Sequence, residues 1–369
     1  MTDIPQTMCA VVLTGHGGLD KLVFHDDWPV PTPSSNQVLI KVHACGLNNT
    51  DVNTRSGWYS KAVSEATTGG AYREVDDSDP TWGGAPITFP RIQGADIAGT
   101  VVAVGEAIDA TLIGRRVMAD GWLRDWSDPE GKEAVGYFGS ECDGGFADYA
   151  VIDQRNVWAI NSPLTDAELA TFSCSYTTAE NMLRRAAVGE GDTVLITGAS
   201  GGVGSALVQL ANRRGAATVA MASAAKHDQL EPLEPTALLD RAPDDLEAAL
   251  DKAIGRNSVT VVADIVGGLY WPKLIDVLAR GGRYVCSGAI AGPGVEFDLR
   301  TFYLNDLTLV GSTITSTQVF PDLVGYIERG EIRPLLAATY PLENLREAQQ
   351  AFIDKSHVGN IVVTMDEGR

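Results

Sequence analysis

The residues of this chain best placed to do chemistry lie at 192–216, DTVLITGASGGVGSALVQLANRRGA. An apolar run, Val194-Leu195-Ile196, leads into Gly198-Ala199-Ser200-Gly201-Gly202-Val203-Gly204. Val203, Leu207, Leu210 and Ala211 then recur at helical spacing. Glycine at a strand-to-helix turn lets backbone approach an anionic ligand closely, and the helix start adds unpaired N–H groups and a positive dipole end. The chemistry that fits is a backbone grip on the pyrophosphate of a dinucleotide by Ser200, Gly201, Gly202 and Val203. Ala199 replaces the first glycine of the GxGxxG spacing, so the pattern draws its weight from the strand, turn and helix around it. A turn that only packs strand on helix is the alternative.

The second strand of such a unit, ATVAMA, ends at Ser223-Ala224-Ala225-Lys226. No carboxylate stands where an NAD site places one to bind the ribose hydroxyls. Ser223 can hydrogen-bond a 2′-phosphate and Lys226 can neutralise it, so the expected cofactor is NADP. Arg213 and Arg214, on the preceding helix, read as solvated.

Elements on either side must position this turn. From residue 163 apolar strands alternate with amphipathic helices: DTVLITG, a helix from about 203, ATVAMA, DLEAALDKAIG, VTVVADIVGG, YWPKLIDVLARGG, RYVCSGAI and LTLVGSTI. That alternation predicts an α/β class, a doubly wound parallel sheet with helices on both faces. Just before it, Thr165 is a candidate N-cap, with Glu168 completing a capping box. Residues 319–354 read as helix, loop, helix, and GNIVVTM as a last strand. The first 160 residues have another texture. Short β-branched runs at 37–43, 97–104 and 115–119, bounded by turn formers, read as a compact, mostly β domain. Polar, Gly-rich stretches at 64–86 and 120–145 interrupt it and carry Trp82, Trp122 and Trp126. The expected domains are 1–158 with 319–369, and 159–318.

The 369 residues carry 28 basic and 48 acidic side chains, a net charge of −20. Such a chain is repelled by nucleic acid and by anionic membranes. It has no run of 18 apolar residues, and its start lacks a signal-peptide layout, so it reads as cytoplasmic. Five cysteines, at 9, 45, 142, 174 and 286, form no CxxC pair and signal neither a disulfide framework nor a zinc ribbon. The five histidines form no i, i+4 pair and no triad, and His43, in a strand pattern, reads as structural.

Several segments in order resemble the medium-chain dehydrogenase/reductase superfamily, in its zinc-independent quinone oxidoreductase-like branch. ACGLNNTDVNTRSGWY matches the pattern NxxDxxxRxGxY through Asn48, Asp51, Arg55, Gly57 and Tyr59. GADIAGTVVAVG resembles the stretch that follows, with Asp96 in place of its Glu, and DGGFADYAVI and KSHVGNIVV resemble later segments. The resemblance implies a GroES-like catalytic domain joined to a Rossmann NADP-binding domain. Zinc-dependent relatives hold metal at positions occupied here by Asn48, Ala95 and Cys174. Alanine has no donor atom and one thiol cannot hold the ion, so no metal is expected.

The resemblance further places Asn48 and Tyr59 in the cleft facing the nicotinamide, with Thr178 contacting the nicotinamide side. Backbone of Ile265, Val266, Ser287, Gly288 and Ala289 would hold the ring's edge, and Asn360 replaces the family's usual Lys or Arg. Hydride transfer puts negative charge on an oxygen, which hydrogen-bond donors must then stabilise. That favours a quinone or an α,β-unsaturated carbonyl as substrate. Tyr59 is either a proton donor or an aromatic wall, and Asp51 with Arg55 reads as an internal polar pair. Trp58, Trp82, Trp122 and Trp126 either select a flat substrate or pack loops. A metal-free alcohol/aldehyde oxidoreductase and a non-catalytic dinucleotide-binding sensor or structural protein are the alternatives. LTLVGSTI, a late strand at a sheet edge, is the expected homodimer contact.

Overall fold

The structure, a computed structural model, describes residues 4–366 apart from 68–69, 71, 73–74, 76–77, 80–84, 134 and 257. Trp82 therefore lies outside the described residues. The chain forms two compact units. One holds the residues up to Val63, Thr68–Cys174 and Phe320 onward; the other holds Ser64–Thr67 and Ser175–Val319.

The first unit is mostly β. Its central strand, Gln37–Gly46, buries Val38, Leu39, Ile40 and Val42. It pairs antiparallel with Asp96–Val104 on one side, and with Tyr149–Asp153 and Asn360–Thr364 on the other. Arg116–Ala119 and Val157–Ala159 extend the sheet beyond Asp96–Val104. A second sheet of Leu22–Pro29, Thr7–Leu13 and Arg91–Ile92 packs into the same core with Leu39, Ile40, Phe138 and Phe146.

Two features depart from the sequence reading. Residues between the helices Val319–Glu328 and Leu345–Ile353 are not all loop: Leu336–Pro341 is a strand, parallel to the closing strand Asn360–Thr364. Its alternating half-buried and exposed residues are a strand's period of two, short enough to pass for loop. The first unit also runs on to Cys174 instead of ending at residue 158. Asp166 anchors that stretch, accepting from Arg116 Nε at 2.7 Å and lying 2.8 Å from His43 Nδ1. His43 is thus structural, as expected. The capping box formed by Thr165 and Glu168 is present.

The second unit is a six-stranded parallel sheet. Its spatial order is Ala237–Leu239, Ala217–Met221, Thr193–Ile196, Val261–Asp264, Arg283–Cys286, Thr308–Gly311. The first strand in sequence lies in the middle, and the order reverses between it and Val261–Asp264. In open α/β sheets, ligands bind beyond the strand ends at such a switch point. The helix Gly202–Arg213 buries Leu207, Leu210 and Ala211, while Val203, in its first turn, stays half-exposed. Thr308–Gly311 is a sheet edge with Leu309 exposed. Among the described residues, no helix is long and apolar enough to cross a membrane.

Candidate functional site

The turn after Thr193–Ile196 is shaped by its glycines. Gly198 has φ +59°, in the left-handed region that side chains avoid. A Cβ on Gly204 would lie 2.2 Å from the Gly198 carbonyl oxygen, so helix and turn can approach this closely only with glycine there. At Gly201 a Cβ would meet nothing nearer than 3.6 Å. Packing does not demand that glycine, whereas a ligand seated against the backbone would. Gly201 caps the helix without a side chain, leaving the first-turn N–H groups of Gly202 and Val203 to an anion.

Ser223 starts the turn Ala224–Lys226 that follows the second strand. His227 Nε2 lies 3.1 Å from the Ala222 carbonyl oxygen and 3.2 Å from that of Leu239, so it ties the ends of the second and third strands together. Partial burial and the neighbouring Arg241 cation hold Lys226 below its usual pKa. Arg241 was missed by sequence reasoning. It follows the short strand Ala237–Leu239, which has no motif, and only the sheet brings it to Lys226. Arg214 is not solvated as expected: it donates to the buried Glu180 at 2.7 Å and to the Val188 carbonyl at 3.2 Å.

Beyond the fourth and fifth strands lie the loops carrying Ile265, Val266, Ser287, Gly288 and Ala289. Ile265 N–H donates to Thr197 Oγ1 at 3.1 Å, and Ser287 N–H to the Asp264 carbonyl at 3.2 Å. Ala291 N–H donates to the Val266 carbonyl at 2.8 Å and joins the two loops. Thr67, from the stretch 64–67, donates its N–H to the Ile290 carbonyl at 2.9 Å. Thr178 is half-buried on the helix Ser173–Arg185.

In the first unit, a cluster of titratable groups surrounds Asn48 and Cys174. Asn48 caps the helix Asn49–Ser56, and its N–H donates to Asp51 Oδ2 at 2.8 Å. Burial pushes Asp51 up to about 7, against donation from Asn48 and Gly94 N–H. Asp96 is also pushed up to about 7, by burial and the nearby Asp51 charge, although the Asn48 side chain and Cys174 N–H favour its charged form. The Cys174 bond is 3.0 Å long, to Asp96 Oδ1. The Tyr59 phenol lies 3.5 Å from Thr50 Oγ1, and burial raises its pKa, with Cys174 and Asp51 adding to the effect. Tyr137, another residue sequence reasoning missed, shares a hydrogen bond with Cys174 and packs edge-on against Trp122. Tyr137 ends the short strand Val135–Tyr137, which pairs antiparallel with Trp122–Arg124 and carries no motif.

Asp51 and Arg55 are not the pair expected. Arg55 is fully buried and donates to Gln349 Oε1 at 2.9 Å and to the Gly17 carbonyl at 2.6 Å. Helix geometry puts the two residues a turn apart, but the guanidinium turns toward the loop at Gly17. Asn360 is buried in the closing strand, its N–H donating to the Leu335 carbonyl at 2.8 Å. Trp58 packs edge-on against Tyr59, Trp122 is buried, and Trp126 lies under the Arg155 guanidinium.

The donor set does not fit zinc. Ala95 is buried and apolar, Asn48 caps a helix, and among the described residues no three His, Cys, Asp or Glu side chains converge as a metal site. What the first unit offers a substrate oxygen is hydrogen-bond donors.

Comparison with known proteins agrees with both halves. The alcohol dehydrogenase GroES-like domain matches residues 34–162, and the zinc-binding dehydrogenase family matches 202–329. The chain is 27% identical to the quinone oxidoreductase of Homo sapiens, over 95% of each chain. It is 26% identical to the acryloyl-coenzyme A reductase of Metallosphaera sedula, over 97% of this chain and 100% of that one. A solved structure of a candidate alcohol dehydrogenase from Sinorhizobium meliloti 1021 is 46% identical, with a TM-score of 0.90 over 99% of both chains.

Proposed function

The chain belongs to the medium-chain dehydrogenase/reductase superfamily, and from that membership we propose that it is an NADPH-dependent reductase of quinones or α,β-unsaturated carbonyls. It is an oxidoreductase with a dinucleotide-binding fold, similar along its length to a quinone oxidoreductase and an acryloyl-coenzyme A reductase. The observation that carries the substrate class is that Asn48 and the apolar Ala95 stand where relatives with zinc would place metal ligands, which leaves side-chain donors such as Asn48 and Tyr59 to meet a substrate oxygen. Bound NADPH would supply the hydride. Tyr59 donates a hydrogen bond to the substrate oxygen as charge develops there, and its protonated phenol can complete the reduction. Asn48 orients that oxygen, and Thr178 lines the nicotinamide side. Weak donors suit acceptors whose charge is already delocalised. A panel of quinones, enones and aldehydes assayed by NADPH absorbance loss tests this: quinones or enones should turn over and aldehydes lag. Turnover of aldehydes alone defeats the substrate class, and tight NADPH binding with no turnover favours a sensor.

Ser223, Lys226 and Arg241 support NADP over NAD, because a 2′-phosphate would accept from the hydroxyl and offset the mutual repulsion of two neighbouring cations. A charged contact to the 2′-phosphate contributes about 1.5–3 kcal/mol before screening. Lys226→Ala should therefore raise KM for NADPH tenfold or more and leave KM for NADH nearly unchanged; equal effects defeat the assignment. Dialysis against a strong chelator should leave turnover unchanged. The edge Thr308–Gly311, with Leu309 exposed on it and Leu299 and Tyr303 exposed on the helix that precedes it in sequence, supports a homodimer formed by pairing that edge across a two-fold axis. Val310→Lys should then halve the mass seen by light scattering. Five free cysteines suit the reducing cytoplasm, and the charge of −20 argues against nucleic acid as a partner.

A further inference from the structure

We infer that Asp264 is the positioning residue for the nicotinamide end of the cofactor site, an inference that rests on the dinucleotide reading above. Asp264 ends the fourth strand and is fully buried. Its Oδ1 accepts from Thr197 Oγ1 at 2.6 Å, Val266 N–H at 2.8 Å and Gly267 N–H at 3.2 Å. Its Oδ2 accepts from the Tyr284 phenol at 2.7 Å and shares Gly267 N–H at 3.2 Å. Every contact is a donation to Asp264, the pattern a carboxylate requires. Among the described residues, no lysine or arginine pairs with it. Burying a carboxylate without a cation is costly, and packing alone would be served as well by an apolar side chain.

What the carboxylate does is fix geometry. Val266 N–H is tied to it directly and Ile265 N–H through Thr197, so one group sets the course of the loop leaving the strand. Thr197 is also the residue before Gly198 in the phosphate turn. A Cβ on Gly198 would come within 3.2 Å of Val266 and 3.3 Å of Ile265, so turn and loop abut. The Asp264 carbonyl accepts Ser287 N–H, which draws in the second loop. Among the described residues, the Ile265 carbonyl and the Gly288 and Ala289 N–H groups are left without partners. One acceptor and two donors on fixed backbone complement a carboxamide, the group the nicotinamide end of the cofactor carries. Asp264 touches none of that group itself; it holds the backbone that does.

Asp264→Asn keeps the side chain's shape but turns an NH2 toward groups that are all donors. The test is calorimetry on the full chain with two probes: NADPH, and 2′,5′-ADP, which has the 2′-phosphate but no nicotinamide. Asp264→Asn should weaken NADPH about tenfold and leave 2′,5′-ADP within twofold. Tyr284→Phe, which removes one donor and keeps the ring, should weaken NADPH about threefold with the same selectivity, and it carries the test if the first variant does not fold. Equal weakening of both probes would mean that Asp264 only supports the sheet and would overturn the inference, as would unchanged NADPH binding. Failure of the wild-type chain to bind NADPH at all would instead overturn the dinucleotide reading.

Discussion

Asp264 in the parallel-sheet unit and Asp96 in the mostly β unit are both fully buried carboxyls at the ends of strands, yet their surroundings differ. Two hydroxyls and two backbone N–H groups donate to Asp264, so both of its oxygens are engaged. Asp96 accepts Cys174 N–H at Oδ1, while among the described residues neither its Oδ2 nor Nδ2 of the neighbouring Asn48, which favours the charged carboxylate at close range, completes a hydrogen bond of good geometry. The first arrangement fixes a loop by satisfying every lone pair it can. The second leaves burial to dominate, and Asp96 and Asp51 both titrate near 7 beside two phenols and a thiol. Full satisfaction makes a rigid binding frame. Incomplete satisfaction keeps protons mobile near neutral pH, and perturbed groups of this kind gather where chemistry is done.

The comparison can be broken most sharply at Tyr59. If the first unit does the proton chemistry, Tyr59→Phe should lower kcat by about 10²–10⁴-fold, the usual worth of general acid catalysis. Affinity for NADPH, which the proposal assigns to the second unit, should stay within twofold. A fall in affinity matching the fall in kcat would show that the two roles are not divided this way.

Gly204→Ala probes the rigidity of the binding frame. The new Cβ would lie 2.2 Å from the Gly198 oxygen, and overpacking of this kind costs about 1–3 kcal/mol. Chemical denaturation should show that loss. Gly201→Ala has 3.6 Å of room and should leave stability unchanged while weakening NADPH several-fold, if the pyrophosphate seats against this backbone as proposed. If both variants lose stability alike, the glycines are there for packing alone.

The smallest effect is the dependence of stability on pH. Asp51 and Asp96 are raised to about 7, so the native chain keeps protons that the unfolded chain has already released. Their contribution to stability is therefore greatest below about pH 4, falls as pH rises toward about 7, and levels off above it. Asp96→Asn removes half of this dependence. Its melting temperature relative to wild type should be higher at pH 8 than at pH 5, and a constant difference across that range would count against mobile protons in the first unit.

Local order was legible from residue types. The apolar run into GASGGVG specified strand, turn and helix, because close approach of helix to strand admits only glycine at Gly204. The capping box at Thr165 and Glu168 is likewise a matter of neighbours along the chain. The central carboxylate of the second unit left a trace, since Asp264 breaks an otherwise apolar run, but its four donors come from positions as far apart as Thr197 and Tyr284. Arg241 reaches Lys226 only because two parallel strands end side by side, and Tyr137 reaches Cys174 from a two-stranded sheet that pairs Val135–Tyr137 with Trp122–Arg124. Asp51 with Arg55 reads in the sequence as an internal polar pair, yet Arg55 donates to Gln349 and to the Gly17 carbonyl. Spacing along a chain decides which groups share a helix face or a turn. Which groups meet across the sheet, and whether a buried charge is satisfied there, depends on contacts between residues far apart in sequence, and only the tertiary structure decides those.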